Sequence, residues 1–354
     1  MIRRREFLSA VALVPALRPA AFWASSRIIR SSDPRIEELD FNRLRDSITP
    51  EEDFYIRDHF PEPRLVARSW RLRVGGHVLA PLELTYADIL RGPGRRLTAT
   101  LECAGNPVGA GGVSTAEWTG VPLASVLRQA GLPPEVRSIQ LVGADGSGNE
   151  RAGSFRRSIP VEKALDSDTL LAYQMNGAQL PAEHGYPLRA IVPGWYGMDS
   201  IKWLTRIEAL DQEDTNPFMT QEYVALRLEA VGTARSPVTR MQVKSQIAWP
   251  REGDVVSPGP HTIRGAAWAG ENKVARVEVS VNGGDDWAPA ALEASPGRYA
   301  WVLWNYRWDA KPGDYRISVR ATDDQGNVQP AERNASRIDA YEMNWRQSVR
   351  CMIR

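Results

Sequence analysis

The chain has 354 residues, which is too long for one ordinary domain core and suits two domains. Its 44 basic and 43 acidic residues give a formal net charge of +1, which argues against a general nucleic-acid-binding protein. The 43% of hydrophobic and 25% of charged residues are typical of a globular protein. Two cysteines, Cys103 and Cys351, are too few for a disulfide framework, a four-cysteine zinc site or a cysteine-held iron–sulfur cluster. No C-x-x-C-H motif is present, so we expect no haem in this chain.

The first 30 residues predict an export signal followed by a linker. Arginines at positions 3–5 precede a short apolar run from Phe7 to Leu17, which is the layout of a secretory signal peptide. Arg-Arg-Glu-Phe-Leu at residues 4–8 also resembles the twin-arginine motif, whose route carries folded proteins. A disordered basic N-terminus is the alternative. No other stretch approaches the ~20 apolar residues of a membrane span, so we expect a periplasmic mature protein without one.

Residues 31–240 predict a mixed α+β domain with short elements. Alternating apolar residues predict three strands, at residues 71–74, 97–103 and 139–142. The last of these strands is expected to end in a turn over residues 143–146. Thr85 is a candidate cap for a short helix, and Pro122 and Gly131 bracket a second helix.

Residues 241–354 have a different pattern, which predicts an immunoglobulin-like β-sandwich. Period-two alternation occurs at residues 275–281, 298–304 and 315–320. Asn282-Gly283-Gly284 is a strong hairpin signal. The segment lacks the Cys…Trp…Cys arrangement of antibody domains, so it is only immunoglobulin-like.

Cys103 is the strongest single candidate for a catalytic or metal-binding residue. It lies where a predicted strand meets a Gly-Asn loop, and its thiolate could be a nucleophile or a soft metal ligand. A buried structural cysteine is the alternative. As a nucleophile it would need a base, and spacing does not choose among the four histidines at positions 59, 77, 184 and 261.

Three further segments carry the side chains that bind anions. Arg57 and His59 lie on the same side of an extended segment, His184 and Arg189 occupy a loop that enters a strand, and Lys202 follows a Gly-rich loop. Arginine and histidine in such loops hold phosphates and oxyanions. Taken singly, each segment could equally be a solvated charge or a structural cap.

Taken together, these segments resemble the sulfite oxidase family of molybdenum-cofactor enzymes. The resemblance covers nearly everything after residue 45 and rests on five stretches in the family's order, at residues 56–59, 103–106, 112–120, 171–189 and 192–204. It implies a sulfite-oxidase-type molybdopterin-binding domain over residues 31–240, and a dimerisation domain formed by the β-sandwich of residues 241–354.

The resemblance also implies roles for individual residues. Cys103 would be the one protein ligand of molybdenum, beside the two sulfurs of the pyranopterin. Arg57 would also face the substrate anion, and Tyr223 would lie near the reacting oxygen. The residues expected to contact the pterin and its phosphate are Tyr55, Arg57, His59, Asp145, His184, Arg189, Ser200, Ile201 and Lys202.

The activity implied is oxidation of sulfite to sulfate by oxygen-atom transfer, in which the cofactor supplies the redox chemistry. Because the chain carries no haem, the electrons would pass to an external c-type cytochrome. The second domain implies a homodimer, and the substrate would be a small, sulfite-like oxyanion.

The chain departs from the family pattern at two places, and Arg337 could compensate for the missing arginine. The family has a basic residue soon after the cysteine loop, where this chain has Val108. Its animal members have an arginine where this chain has Met198 and Asp199. Arg337 is a candidate to supply a substrate arginine from the second domain.

Three alternatives stay open at this point. The first is a reductase of sulfoxides or other oxo-substrates with the same cofactor, which the weaker basic wall at Val108 favours. The second is an exported binding module that uses only the β-sandwich and holds no metal. The third is a cysteine hydrolase that uses Cys103 with His184.

Overall fold

The computed structural model describes residues 27–146 and 153–354. The arginines and the apolar run of the predicted export signal lie outside these residues. Strand β1 begins at Ile28, within the last residues of the predicted linker. In the described part of the chain, no helix has the length and apolarity needed to cross a membrane.

The N-terminal part, up to residue 240, is built mainly from strands, with four short helices among the described residues. The strands are β1 (Ile28–Ser32), β2 (Arg35–Glu38), β3 (Ile56–Arg57), β4 (Arg71–Gly76), β5 (Leu82–Thr85), β6 (Arg95–Glu102), β7 (Val113–Pro122), β8 (Ser138–Gly146), β9 (Ser154–Pro160), β10 (Leu170–Met175), β11 (Ala178–Gln179), β12 (Arg189–Ile191), β13 (Leu204–Leu210), β14 (Val224–Leu228) and β15 (Thr233–Pro237). The helices are α1 (Tyr86–Leu90), α2 (Leu123–Ala130), α3 (Val161–Leu165) and α4 (Pro217–Thr220).

Two five-stranded sheets position the site. One has the order β11-β10-β7-β6, with β12 paired to β10, and the other has the order β5-β4-β13-β8-β9. Cys103 follows β6, Arg189 opens β12, Asp145 lies near the end of β8, and Lys202 precedes β13. The residues that the sequence singles out therefore lie at or next to strand ends, where loops can present side chains to a ligand.

The short helices agree with the sequence signals. Thr85 caps α1, and its side chain accepts a hydrogen bond from Asp88 N while the Asp88 carboxylate accepts one from Thr85 N. Helix α2 lies between Pro122 and Gly131, and Gly131 ends it with φ +68°. The helices are few and short, however, so the region is mostly β-sheet rather than an even α+β mixture.

The turn predicted over residues 143–146 is wrong. Strand β8 continues to Gly146, and Gly143 pairs with Leu204 of β13. A β-carbon at Gly143 would lie only 2.3 Å from Asp145 Oδ1 and 2.9 Å from the Lys202 carbonyl oxygen. The glycine here permits close approach of a neighbouring strand, which gives the same sequence signal as a turn.

The C-terminal part forms two further sheets. Its strands are β16 (Lys244–Trp249), β17 (Asp254–Val256), β18 (Gly259–Trp268), β19 (Val274–Ser280), β20 (Ala288–Pro289), β21 (Ala291–Leu292), β22 (Val302–Ala310), β23 (Gly313–Asp323) and β24 (Gln347–Ile353). The sheet orders are β16-β18-β22-β21 and β17-β24-β23-β19-β20. Residues of both sheets share one buried core, which includes Ile247 and Ile263 from the first and Val279 and Ile317 from the second. Two sheets that share a core form a sandwich.

One strand of this region is displaced from its predicted place. We expect a strand over residues 298–304, whereas β22 runs from Val302 to Ala310. The preceding residues dock on the N-terminal part instead, because Thr100 N donates to the Tyr299 carbonyl at 2.9 Å and Trp301 N donates to Thr100 Oγ1 at 2.7 Å. Their alternating pattern reflects burial against β6 rather than a place in the sandwich.

Candidate active site

The predicted site residues line one pocket. They come from six separate stretches of the chain, and the fold brings all eleven together. The eleven are Tyr55, Arg57, His59, Cys103, Asp145, His184, Arg189, Ser200, Ile201, Lys202 and Tyr223.

Cys103 lies in this pocket at the end of β6, in the first turn of a hydrogen-bonded loop. Its N–H donates to the Gly112 carbonyl at 2.8 Å, and its own carbonyl accepts from Asn106 N at 2.9 Å. Burial raises the pKa of the Cys103 thiol, while a hydrogen bond from the Gly105 N–H and the charge of Arg57 oppose that rise. A buried thiol with these two stabilising groups is suited to a soft metal, which deprotonates the sulfur on binding.

Arg57 and His59 reach the same pocket from the extended segment around β3, as the sequence predicts. The Arg57 guanidinium donates to the Asp58 carbonyl. His59 stacks on Phe155, with 3.8 Å between ring centroids, and its Nε2 is hydrogen-bonded to the Tyr223 hydroxyl. Burial, and then the charges of Arg57 and Lys202, lower the pKa of His59 to about 3, so the imidazole is neutral near pH 7.

His184 and Arg189 each carry a buried nitrogen without a hydrogen-bond partner in the described structure, His184 Nε2 and Arg189 Nε. The other guanidinium nitrogens of Arg189 are satisfied, since they donate to the His184 carbonyl at 2.9 Å and the Ser200 carbonyl at 3.0 Å. Burial lowers the pKa of His184 well below its ordinary value, so the Glu183 carboxylate 3.7 Å from Nε2 does not form an ion pair with it. Buried polar atoms are rarely left unpaired, so these two nitrogens indicate a missing polar ligand.

Lys202 gives the pocket a third cation beside Arg57 and Arg189. Its Nζ pairs with the Asp58 carboxylate, donates to the Glu183 carbonyl at 3.0 Å and lies 4.1 Å from the centroid of the Trp203 ring. Nearby, burial raises the pKa of Asp145 to about 7, although Lys202 lowers it. The ammonium therefore stays in the pocket with a partner, beside a carboxyl group that is half protonated near neutral pH.

The remaining predicted residues shape the wall of the pocket. Ser200 Oγ accepts a hydrogen bond from Val192 N at 3.0 Å, and the Ile201 carbonyl accepts one from Ala190 N at 2.8 Å. Tyr55 is buried, and a β-carbon at Gly197 would lie 2.4 Å from its hydroxyl. Only glycine at position 197 lets these two segments meet.

Sequence reasoning missed a buried ion pair under the Tyr223 loop. Arg157 Nε and Asp199 Oδ1 lie 2.8 Å apart, and both side chains are 0% exposed. Arg157 also donates to the Phe218 and Val238 carbonyls, and its guanidinium lies 5.5 Å from the centroid of the Tyr223 ring. The sequence does not predict this pair, because each residue taken alone resembles an ordinary charged residue on the surface of a strand or loop.

Two positive-φ residues also mark the pocket. Trp203 has φ +51° and Tyr223 has φ +53°, and both side chains line the pocket. A bulky residue in this left-handed conformation costs conformational free energy. Residues with such backbone strain are found most often at functional sites.

The positions where the chain departs from the family pattern fall in different places. Met198 lines the pocket, whereas Asp199 is engaged by Arg157. Val108 lies in a separate groove between the cysteine loop and the second region. Arg337 does not line the pocket, because Asp339 and Glu342, each 2.7 Å away, hold its guanidinium. Arg337 is therefore not placed as a substrate-binding arginine.

The structure gives no base for a cysteine hydrolase. His59 is bonded to Tyr223, and His184 Nε2 has no partner among the described residues, so neither imidazole is hydrogen-bonded to Cys103. A nucleophilic cysteine needs a base within hydrogen-bond reach.

The donor set fits a molybdopterin. The described part of the chain has no group of three or more His, Cys, Asp and Glu side chains that could hold a metal ion by themselves. A metal beside Cys103 therefore needs ligands beyond those that the described residues offer, and the two sulfurs of a pyranopterin are such ligands. A phosphate oxygen would satisfy the free Nε of Arg189, and a donor on the pterin would satisfy the free Nε2 of His184.

Comparison with known proteins gives two family matches in the order of the two regions. The family described as "Oxidoreductase molybdopterin binding domain" matches residues 59–218. The family described as "Mo-co oxidoreductase dimerisation domain" matches residues 235–349.

Curated relatives and a solved structure agree with these matches. Sulfite oxidase of Gallus gallus is 36% identical over 312 residues, which cover 80% of this chain and 68% of that protein. Sulfite oxidase of Arabidopsis thaliana is 31% identical over 80% of this chain and 82% of that protein. The mitochondrial sulfite oxidase of Homo sapiens is 35% identical, and the match spans 57% of its length.

The sulfane dehydrogenase SoxCD from Paracoccus pantotrophus superposes with a TM-score of 0.85 at 30% identity, over 97% of this chain and 92% of that chain. The likeness therefore covers both regions. Given these matches and the donor set of the pocket, the chain belongs to the sulfite oxidase family of molybdopterin-dependent oxidoreductases.

Proposed function

We propose that this protein oxidises a small sulfur oxyanion, most simply sulfite to sulfate, and passes the electrons to an external c-type cytochrome. The observation that carries the proposal is the placement of Arg57 and Cys103 in one pocket, with Arg57 near enough to stabilise the thiolate. Sulfite oxidases among the relatives support this substrate class.

In this proposal Cys103 holds the molybdenum, and the residues behind it hold the pterin and its phosphate. These are Tyr55, His59, Asp145, His184, Arg189, Ser200, Ile201 and Lys202. The free Nε of Arg189 donates to the phosphate, and Lys202 adds a positive charge. When bound, the cofactor supplies two-electron oxygen-atom transfer to sulfur.

The chain's own part of the reaction is positioning and electrostatics. Arg57 binds the oxyanion, since a guanidinium offers paired donors in a low-dielectric pocket. Tyr223 presents its hydroxyl at the same pocket, held by the neutral His59. The rings of Phe155 and Phe218 pack around His59, and we expect them to limit the entry of water on this side of the pocket.

The arrangement of domains and the cellular setting are also proposals. We infer a cofactor domain at residues 31–240 and an immunoglobulin-like domain at 241–354, which forms a homodimer in the manner that its family description names. The predicted export signal at residues 1–30 supports a periplasmic location, where c-type cytochromes are available as electron acceptors.

Two measurements test the function. Protein purified after export-competent expression should contain close to one molybdenum per chain, and Cys103→Ser should lose it. Steady-state turnover should then be seen with sulfite and either ferricyanide or a c-type cytochrome. Molybdenum without sulfite turnover, but with reduction of a sulfoxide by a reduced dye, would favour the reductase alternative. Wild-type protein without molybdenum would overturn both.

A further inference from the structure

The loop that carries Cys103 is held by a strand of the second domain. Lys244 Nζ lies 2.8 Å from Glu102 Oε1 and donates to the Asn106 carbonyl at 3.1 Å. Trp268 Nε1 donates to Glu102 Oε2 at 2.8 Å. Glu102 immediately precedes Cys103, so these bonds hold the residue beside the thiol.

The strand pairing explains why both donors reach one carboxylate. Lys244 opens β16 and is the direct antiparallel partner of Trp268, the last residue of β18. Directly paired residues project from the same face of a sheet. Their side chains therefore arrive together at Glu102, whose two oxygens both become occupied.

The same face of β16 holds the far end of the loop. Gln246 lies two residues after Lys244, and alternate residues of a strand share a face. Its amide accepts from Gly109 N at 3.3 Å and donates to the Ala110 carbonyl at 3.0 Å. The second domain therefore forms hydrogen bonds with the cysteine loop near both of its ends.

Asn106 closes the loop from inside. Its Nδ2 donates to Glu102 Oε1 at 3.1 Å, and its Oδ1 accepts from Gly112 N at 2.9 Å. Asn106 is 2% exposed, Glu102 2% and Lys244 1%, so water does not compete for these bonds. Loss of Lys244 would leave the buried Glu102 carboxylate without its counter-ion, which costs free energy. The loop would then move so that the carboxylate regains water or another partner.

We propose that Lys244 is a positioning residue of the active site: through Glu102 and Asn106 it fixes the direction from which Cys103 presents its sulfur to the metal. This inference rests on the proposed role of Cys103 as the molybdenum ligand. Groups that orient a metal ligand in this way contribute to metal retention as well as to turnover.

The test compares holoenzymes that carry Lys244→Met or Lys163→Met. Lys163 is a matched control, because it is also a buried lysine that joins the two domains, through Glu271 at 2.7 Å and the Pro193 carbonyl at 2.9 Å. It makes no hydrogen bond to the loop of residues 102–112 in the described structure. The rate of molybdenum loss in dilute urea is measured by elemental analysis, and the Mo(V) electron paramagnetic resonance spectrum is recorded.

Lys244→Met should lose molybdenum about tenfold faster than wild type, the lower end of the range for residues that orient metal ligands. Its Mo(V) spectrum should shift, and Lys163→Met should change neither property. If Lys244→Met does not fold, Trp268→Phe removes one donor to Glu102 and should still accelerate the loss.

Equal rates and unchanged spectra in Lys244→Met and Lys163→Met would overturn the inference. So would unchanged retention in Trp268→Phe. The Cys103→Ser variant separates this failure from failure of the proposed function. If Cys103→Ser loses the metal while the Lys244 and Trp268 variants keep it, only the positioning role is wrong.

Discussion

The Tyr223 hydroxyl is hydrogen-bonded to Nε2 of His59, which lies 164 residues earlier in the chain. The bond joins the loop before β14 to the extended segment around β3. Burial, and then the charges of Arg57 and Lys202, lower the pKa of His59 to about 3. The imidazole is therefore neutral throughout the physiological range, and it holds the hydroxyl of Tyr223 in the pocket without adding a charge.

Tyr223→Phe should reduce kcat/KM for sulfite about tenfold, the effect of losing one hydrogen bond of about 1.4 kcal/mol in the transition state. The phenyl ring keeps its packing, but His59 Nε2 loses its partner, so the free energy of unfolding should fall by about 1–3 kcal/mol. Steady-state kinetics with ferricyanide check this. Tyr341→Phe is the control, because that ring packs on Tyr223 with 5.3 Å between centroids but does not line the pocket. An equal loss in both variants would contradict a role for the Tyr223 hydroxyl.

The sequence was enough to identify the residues around the pocket, because family motifs carry them as contiguous strings. The segment from His184 to Arg189 and the Cys103 loop both came from such strings, and the fold brings them together. The sequence also predicts the helix cap at Thr85, and the structure confirms it.

Pairs that join distant stretches could not be predicted in this way. Arg157 and Asp199 are 42 residues apart, and Lys244 and Glu102 are 142 apart. Each residue alone resembles an ordinary surface charge, and only the fold shows that both members of each pair are buried. Alternation likewise misplaced a strand around Tyr299, because burial against β6 produces the same pattern as burial within the sandwich.

Arg57→Gln should raise KM for sulfite by about tenfold or more, since a hydrogen bond to a charged group contributes about 1.5–3 kcal/mol. The guanidinium lines the pocket with Cys103, and glutamine keeps polarity without the charge. Initial rates over a range of sulfite concentrations give the constant. Arg64→Gln is a suitable control, because Arg64 is exposed and lies in a different groove. An unchanged KM in Arg57→Gln would show that Arg57 contacts only the cofactor.

Asp145 predicts a pH-dependent stability in protein prepared without the cofactor. Burial raises its pKa from 3.8 to about 7, so the folded state holds a proton that the unfolded state has released. The free energy of unfolding should therefore fall as pH rises from about 4 to about 7, and level off above that. The cause is desolvation of a carboxylate without a full counter-charge.

Asp145→Asn should remove this penalty. The variant should exceed wild type by up to about 4 kcal/mol at pH 8, and the difference should close toward pH 4. Urea unfolding of the two cofactor-free proteins at several pH values measures it. Asp314→Asn, at a side chain 78% exposed, should show no such trend. A difference between Asp145→Asn and wild type that does not vary with pH would contradict the raised pKa.

Arg157→Met should destabilise the protein by about 3–5 kcal/mol, because it leaves the buried Asp199 carboxylate without its counter-ion. Burial already raises the pKa of Asp199, and Arg157 is the group that opposes this rise. Chemical denaturation followed by fluorescence gives the change. Arg73→Met breaks an ion pair whose side chains are 73% and 56% exposed, and should cost less than about 1 kcal/mol. A similar fall in the free energy of unfolding in the two variants would mean that the buried Arg157–Asp199 pair contributes no more to stability than an exposed pair.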